Sequence, residues 1–455
     1  MPRHVSSQPF SGPTAEHQRW HPEQRGTHRR LVWLVDPISA IPGEGLLPSR
    51  TWALARALVA GGHEVIWWTS SFSHTRHGPR TPPLLIQDEE GFAVRLIKAR
   101  RYRRDMSLAR FASHRDFAAA FERMATEEVA AGQLERPDLL VAVAPPHHAG
   151  EAASRVAHRL DAELILDLAE WWPEPLRPLL PGPSWLRSLL AATVFPALAR
   201  RQWQVLSRAD ALLAASQTTA SHAQEAVAAS VPVEVVPTGA YLQDYPAPPP
   251  FIDHVPGKLP QHTRRRNKPP LTIAVAGDLN HRDDLLRLVD LARSLTSRST
   301  DAVLHVIGGG RWMPQLATTA PLVKGCCRIV AHGLIDRSRY VSLLAECQVG
   351  LVQPGVLSRF PLPAEAADYA AAGLAIVVAG SGELANMVSV AGAGLVTADA
   401  SADTWAAALA PLADDPRHLS RLRHAARRLA ETSLDRERLA AGVVDWLESL
   451  AVPVA

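Results

Sequence analysis

Two glycine-rich stretches have the composition to hold a phosphorylated ligand. Gly308-Gly309-Gly310-Arg311 follows an apolar run and offers close backbone approach together with one cation. Gly43-Glu44-Gly45 offers a loop of the same kind in the first half of the chain. A single glycine loop reads equally well as a plain turn, but one in each half fits a shared ligand better. Glu365 and Asp368 stand three residues apart and so share one helix face, with Pro363 suited to the first turn. Such a pair can accept hydrogen bonds from hydroxyl groups. The alternative, a solvated acidic face, fits less well because alanine fills most of that helix. His147 and His148 follow Ala144-Pro145-Pro146 just beyond an apolar run, where a histidine can serve acid–base chemistry or simply begin a surface helix. Asp167 and Glu174 lie beyond the next run and could bind hydroxyls or cap the following turn.

These residues need a scaffold, and the apolar pattern describes one. Leu31–Val35 reads as a buried strand, a helix from about Pro48 to Ala60 follows, Gly61-Gly62 stops it, and Val65–Trp68 reads as a second strand. Short apolar runs recur at 139–143, 164–166, 211–213 and 233–236, with helical stretches between them. This alternation predicts α/β layers around a mostly parallel sheet of Rossmann type. Residues 246–270 then hold eight prolines and the run Arg264-Arg265-Arg266, and read as a linker. The rhythm restarts with strands at 271–276, 302–307, 328–330, 349–352, 375–378 and 395–396. The expected organisation is a disordered tail at 1–28, a Rossmann-like domain at 29–245, the linker at 246–270, and a second Rossmann-like domain at 271–430. A C-terminal helix within 431–455 is expected to pack back on the first domain. In doubly wound sheets ligands sit beyond the carboxyl ends of the strands, so two facing domains would share one cleft.

Composition narrows the class. At 455 residues, with 47% hydrophobic and 20% charged residues, the chain is globular and long enough for two cores. A net charge of +3, with no stacking motif, argues against nucleic acid as a partner. Three cysteines, two of them adjacent at Cys326-Cys327, match neither a disulfide framework nor a metal motif and read as reduced buried thiols. The polar start lacks a secretory signal and no run is long enough to span a bilayer, so the expected location is the cytoplasm or the inner face of the membrane. Residues 95–115 carry eight Lys/Arg against Asp105 alone, and read as a contact with anionic lipid. Residues 184–206, with Trp185, Leu186, Leu189, Leu190, Phe195 and Trp203, read as a core helix.

Several segments together resemble glycosyltransferase family 4, the retaining GT-B enzymes, over residues 30 to 450. They are Gly43-Glu44-Gly45 with Ser49-Arg50, Ala60-Gly61-Gly62-His63-Glu64-Val65, the basic segment from Tyr102 to Arg115, Asp167 to Glu174, and Val236-Pro237-Thr238-Gly239-Ala240. In the second half they are Gly277-Asp278-Leu279, Gly308-Gly309-Gly310 and Asp368 to Gly373. The likeness is greatest to members that act in exopolysaccharide or O-antigen assembly.

The resemblance implies transfer of a sugar, with retention, from a nucleotide-sugar donor to a lipid-linked saccharide acceptor, with no metal or other cofactor. It places the donor on Gly43, Gly45, Gly277, Gly308, Gly309, Gly310, Arg311, Glu365 and Asp368, with Asp368 at the ribose. The acceptor falls to His148, Asp167 and Glu174, and His147 becomes the catalytic candidate. The chain departs from the family pattern at Phe360, where an acidic residue is usual, at Glu365, where the subgroup often has lysine, and at Asp278, where a basic pair often follows the glycine. A carboxylate at 365 would repel a diphosphate. Two other readings of the same fold are a non-catalytic partner with a degenerate donor site and a UDP-sugar 2-epimerase-like enzyme.

Overall fold

A computed structural model describes residues 29–46, 48–80, 85–87, 91–102, 107–172, 184–248, 269–357 and 360–450. The tail at 1–28, most of the proline-rich linker, Glu174 and residues 103–106 of the basic stretch lie outside the described residues.

The first sheet is built from β1 (Leu31–Val35), β2 (Glu64–Ser70), β3 (Leu85–Gln87), β4 (Ala93–Ile97), β5 (Leu139–Ala144), β6 (Glu163–Leu168), β7 (Ala211–Ala214) and β8 (Val233–Val235). Their spatial order is β8-β7-β6-β5-β1-β2-β4-β3, parallel throughout except for the β3–β4 edge. All five residues of β1 are buried, as in a sheet covered by helices on both faces. Trp33, Trp67 and Trp68 fill the interior on either side of it. The helix Arg50–Ala60 starts where Ser49 Oγ accepts from Trp52 N at 3.1 Å and stops at Gly61.

The second sheet contains β9 (Leu271–Ala276), β10 (Ala302–Ile307), β11 (Cys327–Gly333), β12 (Val349–Leu351), β13 (Ala375–Ala379) and β14 (Gly394–Thr397). Its order, β11-β10-β9-β12-β13-β14, is the doubly wound arrangement with every strand parallel. Strand order reverses between β9 and β12 here, and between β1 and β5 in the first lobe. Those two points are where doubly wound sheets open a crevice. The strands expected from the apolar pattern are present in both lobes. Missed by that pattern were β3 and β4, the latter overlapping the start of the basic stretch.

The chain crosses between lobes twice. After β8 it reaches Gly239, where a Cβ would press on the Leu434 carbonyl at 2.8 Å, so only glycine permits the approach. Ala240 there pairs with the segment leading into the last helix, Arg436–Leu450. That helix returns to the first lobe and buries Val443, Val444 and Leu447 in its core. A third tie joins the lobes directly. Glu383, opening the helix Glu383–Ala391, accepts hydrogen bonds from Gln217 N, Thr218 N and Thr218 Oγ1, each at 2.8 Å. The carboxylate thus caps the first-lobe helix Gln217–Ala226 from across the cleft. A cap of this kind contributes about 1 kcal/mol. Glu383→Ala should therefore shift the lobes about fivefold toward open forms, read as a larger radius of gyration in solution scattering. An unchanged radius would show that the contact does not hold the lobes together.

One surface segment is partly tied into the lobe, and another differs from expectation. In the basic stretch, Arg95 pairs with Glu128 at 2.6 Å and lies over Trp68, Arg100 pairs with Asp116 at 3.0 Å, and Tyr102 is buried. Its leading residues thus belong to a strand and its flank. The helix Ser184–Leu206, expected in the core, buries Phe195, Gln202, Val205 and Leu206 but exposes Trp185, Leu189 and Trp203. Spacing alone marked the helix as apolar; which side faces the protein depends on neighbours distant in sequence.

Candidate active site

In the second lobe, Gly277 ends β9 at the reversal of strand order, and the Gly308-Gly309-Gly310 turn lies directly against it. A Cβ on Gly308, whose φ is +137°, would collide with the Gly277 carbonyl, and one on Gly310 would collide with Leu279. Close packing of two loops is therefore what these glycines permit. Three amides of the loop are engaged as well: Gly308 N donates to Gly333 O at 2.9 Å, Gly309 N to Asp278 Oδ1 at 2.9 Å, and Arg311 N to Asn280 Oδ1 at 3.3 Å. Asp278 thus accepts from a donor that the glycine loop was expected to offer a diphosphate. The Arg311 guanidinium lies over Trp312, with 5.7 Å to the ring centroid.

The helix Ala364–Ala371 begins at the same edge after Pro363. Its two carboxylates have separate environments. Burial pushes Glu365 up to about 7; its own backbone N–H opposes the rise, and Asp368 and Asp278 add to it. A glutamate so placed is neutral about half the time at pH 7, and can then donate a hydrogen bond where a fixed anion would repel. Asp368 is more deeply placed. Burial pushes it up to about 6, opposed by Arg436 and by the nearby Tyr245 and Tyr340 hydroxyls. Tyr340 donates to Asp368 Oδ2 at 3.1 Å. Asp368 therefore faces the crossing between lobes, while Glu365 faces the β9 edge.

The first lobe presents its own edge. Gly43 and Gly45 both have positive φ, and Glu44 between them is held by Arg80 at 3.1 Å, a buried pair. Arg80 also donates to Ser39 O, Ser70 O and Thr69 Oγ1, so one guanidinium ties the loop to the end of β2. Gly45 O accepts from Arg337 N of the second lobe at 3.3 Å. Asp167, at the end of β6, pairs with Arg50 at 2.8 Å, and Arg50 also donates to Val236 O and Pro237 O. His147 starts the helix His147–Leu160 and lies edge-on to Trp172, with ring centroids 5.0 Å apart. Burial, reinforced by His148 and Arg201, pushes its pKa down to about 3. An imidazole held neutral in this way hydrogen-bonds well but is a weak proton acceptor. His148 is pushed down too, first by burial.

The structure thus brings Gly277, Gly308, Gly309, Gly310, Arg311 and Glu365 to one edge, and Gly43, Gly45, His147, His148 and Asp167 to the other. It turns Asp368 inward. Sequence reasoning missed Glu383, the Tyr245–Tyr340 pair, Arg436, and a cluster of His74, Tyr102 and His114. Tyr102 OH and His74 Nδ1 are hydrogen-bonded, and the His74 and His114 rings lie 5.4 Å apart. The cluster follows the carboxyl ends of β2 and β4. Only its clustering at strand ends could have flagged it, since histidine has no periodic signature.

Residues 48–239 match the family described as Glycosyl transferase 4-like domain. No curated protein matches by sequence. Among solved structures, a sucrose-phosphate synthase from Thermosynechococcus elongatus superposes with a TM-score of 0.67 at 14% identity, covering 93% of this chain and 99% of that one. HepE of Anabaena, in complex with UDP and glucose, gives 0.59 at 14% identity over 92% of this chain and 100% of its own. WaaG, a glycosyltransferase involved in lipopolysaccharide biosynthesis, gives 0.57 at 12% identity over 91% and 99%. The fold is GT-B. Two Rossmann-like lobes, each with its strand-order reversal turned to a common cleft, carry this GT-B architecture, and the 4-like domain occupies the first lobe. In GT-B terms Glu365 and the glycine pair line the second-lobe wall, and His147 and the Gly43–Gly45 loop line the first.

Proposed function

We propose that this chain is a retaining glycosyltransferase that moves a sugar from a nucleotide-sugar donor to a lipid-linked saccharide acceptor. It would work without a metal, in surface-polysaccharide assembly at the inner face of the cell membrane. The observation that carries the reading is the hydrogen bond from Arg337 N to Gly45 O, which sets the first-lobe glycine loop against the second lobe. One cleft then receives both strand-order reversals, the arrangement a two-substrate transfer needs. The family match and the UDP named with HepE support a nucleotide donor. In this reading the donor lies along Gly277, Gly308 to Gly310, Arg311 and Glu365, with Gly43 and Gly45 opposite, and Asp368 supports the helix from within. Glu365, its pKa raised by burial, takes up a proton more readily than a free carboxylate and so opposes a diphosphate less. The leaving phosphate helps deprotonate the acceptor, and the protein supplies orientation and electrostatic stabilisation. His147 contributes a hydrogen bond to a sugar hydroxyl. His148, Asp167 and Glu174 serve the acceptor side.

The test is a panel of UDP-, GDP- and ADP-sugars, read by melting and by transfer into a membrane extract, on wild type, Glu365→Gln and Asp368→Ala. One nucleotide should stabilise the wild type, by about 2.7 kcal/mol at a hundredfold excess over its dissociation constant. Asp368→Ala should weaken the effect, Glu365→Gln, neutral at every pH and still a donor, should keep or strengthen it, and the same donor should support transfer. Absence of both transfer and donor hydrolysis with every donor would overturn the reading. The Asp278–Gly309 hydrogen bond favours a second one: a non-catalytic GT-B partner whose donor loop is closed on itself. A clear melting shift with any of the nucleotides would eliminate its strongest form.

A further inference from the structure

The helix Ser184–Leu206 carries a one-sided apolar face on the outside of the first lobe. Trp185, Leu189, Ala192, Pro196 and Trp203 are all exposed, the two indoles at 68% and 53%. At about 100° per residue these five positions fall within roughly 60° of one line. The line runs for roughly 27 Å at about 1.5 Å per residue. Taking about 250 Å² for an exposed tryptophan side chain, the two indoles alone present roughly 300 Å². That reaches the size at which an apolar patch on a soluble protein carries a function.

Charge selects the occupant. The helix sequence contains Arg187, Arg200 and Arg201 and no acidic residue. Arg200 is exposed at the border of the stripe, and Arg201, on another side, reaches Glu151 at 3.2 Å. A second copy docked through the same face would bury Arg200 at the border, and this helix carries no acidic residue to pair with it. The chain's tail at 1–28 is polar and basic, with no apolar run to seat on the indoles. An anionic lipid surface satisfies both features: indoles settle at the headgroup level, and Arg200 at the border meets lipid phosphate. The helix's inner side strengthens the choice, because Gln202, Val205 and Leu206 line the same small cavity as His147 and Trp172. A membrane held on the outer side would lie one helix away from the acceptor edge.

We propose that this helix is an interfacial membrane-docking element for anionic lipid, with Trp185, Leu189 and Trp203 inserted among headgroups and Arg200 against phosphate. The inference rests on the exposed face and its charge, and stands whether or not the cleft transfers a sugar. It adds a lipid contact to the one expected at residues 95–115, where Arg95 and Arg100 are paired within the lobe and Lys98, Arg101 and Arg115 are exposed.

The test is co-sedimentation of the full chain with phosphatidylcholine vesicles, with and without phosphatidylglycerol. Wild type should bind the anionic vesicles, and omitting phosphatidylglycerol should weaken binding about tenfold or more. Trp185→Ser with Trp203→Ser should weaken binding to the anionic vesicles about tenfold or more while leaving the melting temperature unchanged. Should that variant melt early, Arg200→Glu reads the same contact through charge and should also weaken binding. Wild type that ignores anionic vesicles, or variants that bind as wild type does, would overturn the proposal. So would a wild-type dimer in light scattering that Trp185→Ser with Trp203→Ser converts to monomer, since the face would then be a self-interface.

Discussion

Arg436→Met is expected to cost about 3–5 kcal/mol of stability. Arg436 is buried where three parts of the chain meet. Its Nε donates to Thr238 O at 2.9 Å, one Nη donates to Gly239 O at 2.6 Å, and the other reaches Pro48 O. The guanidinium also lies over the Tyr241 ring, 5.1 Å from its centroid. Methionine fills much of the space but leaves three carbonyls without this donor. It also removes the cation that opposes the rise in the Asp368 pKa. A lysine there keeps the charge but not the fork, and should recover only part of the loss. If the chain unfolds as one unit, the methionine variant should melt about 3–5 °C lower in calorimetry. Because Arg436 ties the start of the last helix to the crossing segment, limited proteolysis near 238–245 should accelerate as well. A melting temperature within a degree of wild type would show that the carbonyls find other partners.

His114→Leu should stabilise the protein at pH 5 by about 2 kcal/mol and change little at pH 8. His114 is buried against His74, and burial, with Arg110 and His148 adding to it, pushes its pKa down to about 3. Its Nε2 is buried and makes no hydrogen bond. The direction follows from proton counting. In the unfolded chain the imidazole takes a proton below about pH 6.5; in the fold it stays neutral down to about 3. Between those values the unfolded state binds more protons, so stability falls as pH falls, by about 1.4 kcal/mol per unit for this one group. Leucine removes the titration and nearly matches the volume. His74 and His147, pushed down to about 2 and about 3, add the same sense. Glu365 and Asp368 act oppositely: their raised pKa values make burial most costly above about pH 7, a cost relieved on acidification. The test is urea unfolding of both proteins from pH 8 to pH 5. Parallel curves across that range would mean His114 is already charged, or reaches solvent, in the folded protein.

The architecture was legible because its determinants are local. A parallel strand buried on both faces is a short apolar run, as in Leu31–Val35 and Leu271–Ala276, and a glycine pair stops a helix as at Gly61. The glycine loops were legible as loops, but their purpose was not. Gly308 and Gly310 prove to be required by Gly277 and Leu279, far earlier in the chain. Asp278 showed only as a missing cation until its carboxylate was found on the Gly309 amide. Glu365 looked like a repelling anion because sequence shows a side chain's type and not its protonation.

The amino-acid order alone determined two doubly wound lobes, the strand ends where a site can form, and the helices that begin there, since apolar spacing at periods of 2 and 3.6 acts between near neighbours. Tertiary structure alone decided which side of Ser184–Leu206 meets water, that Asp368 turns to Tyr340, that Glu383 caps a helix of the opposite lobe, and that the Glu365 pKa is raised. Each of these depends on desolvation or on hydrogen-bond partners supplied from distant parts of the chain, which no local pattern records.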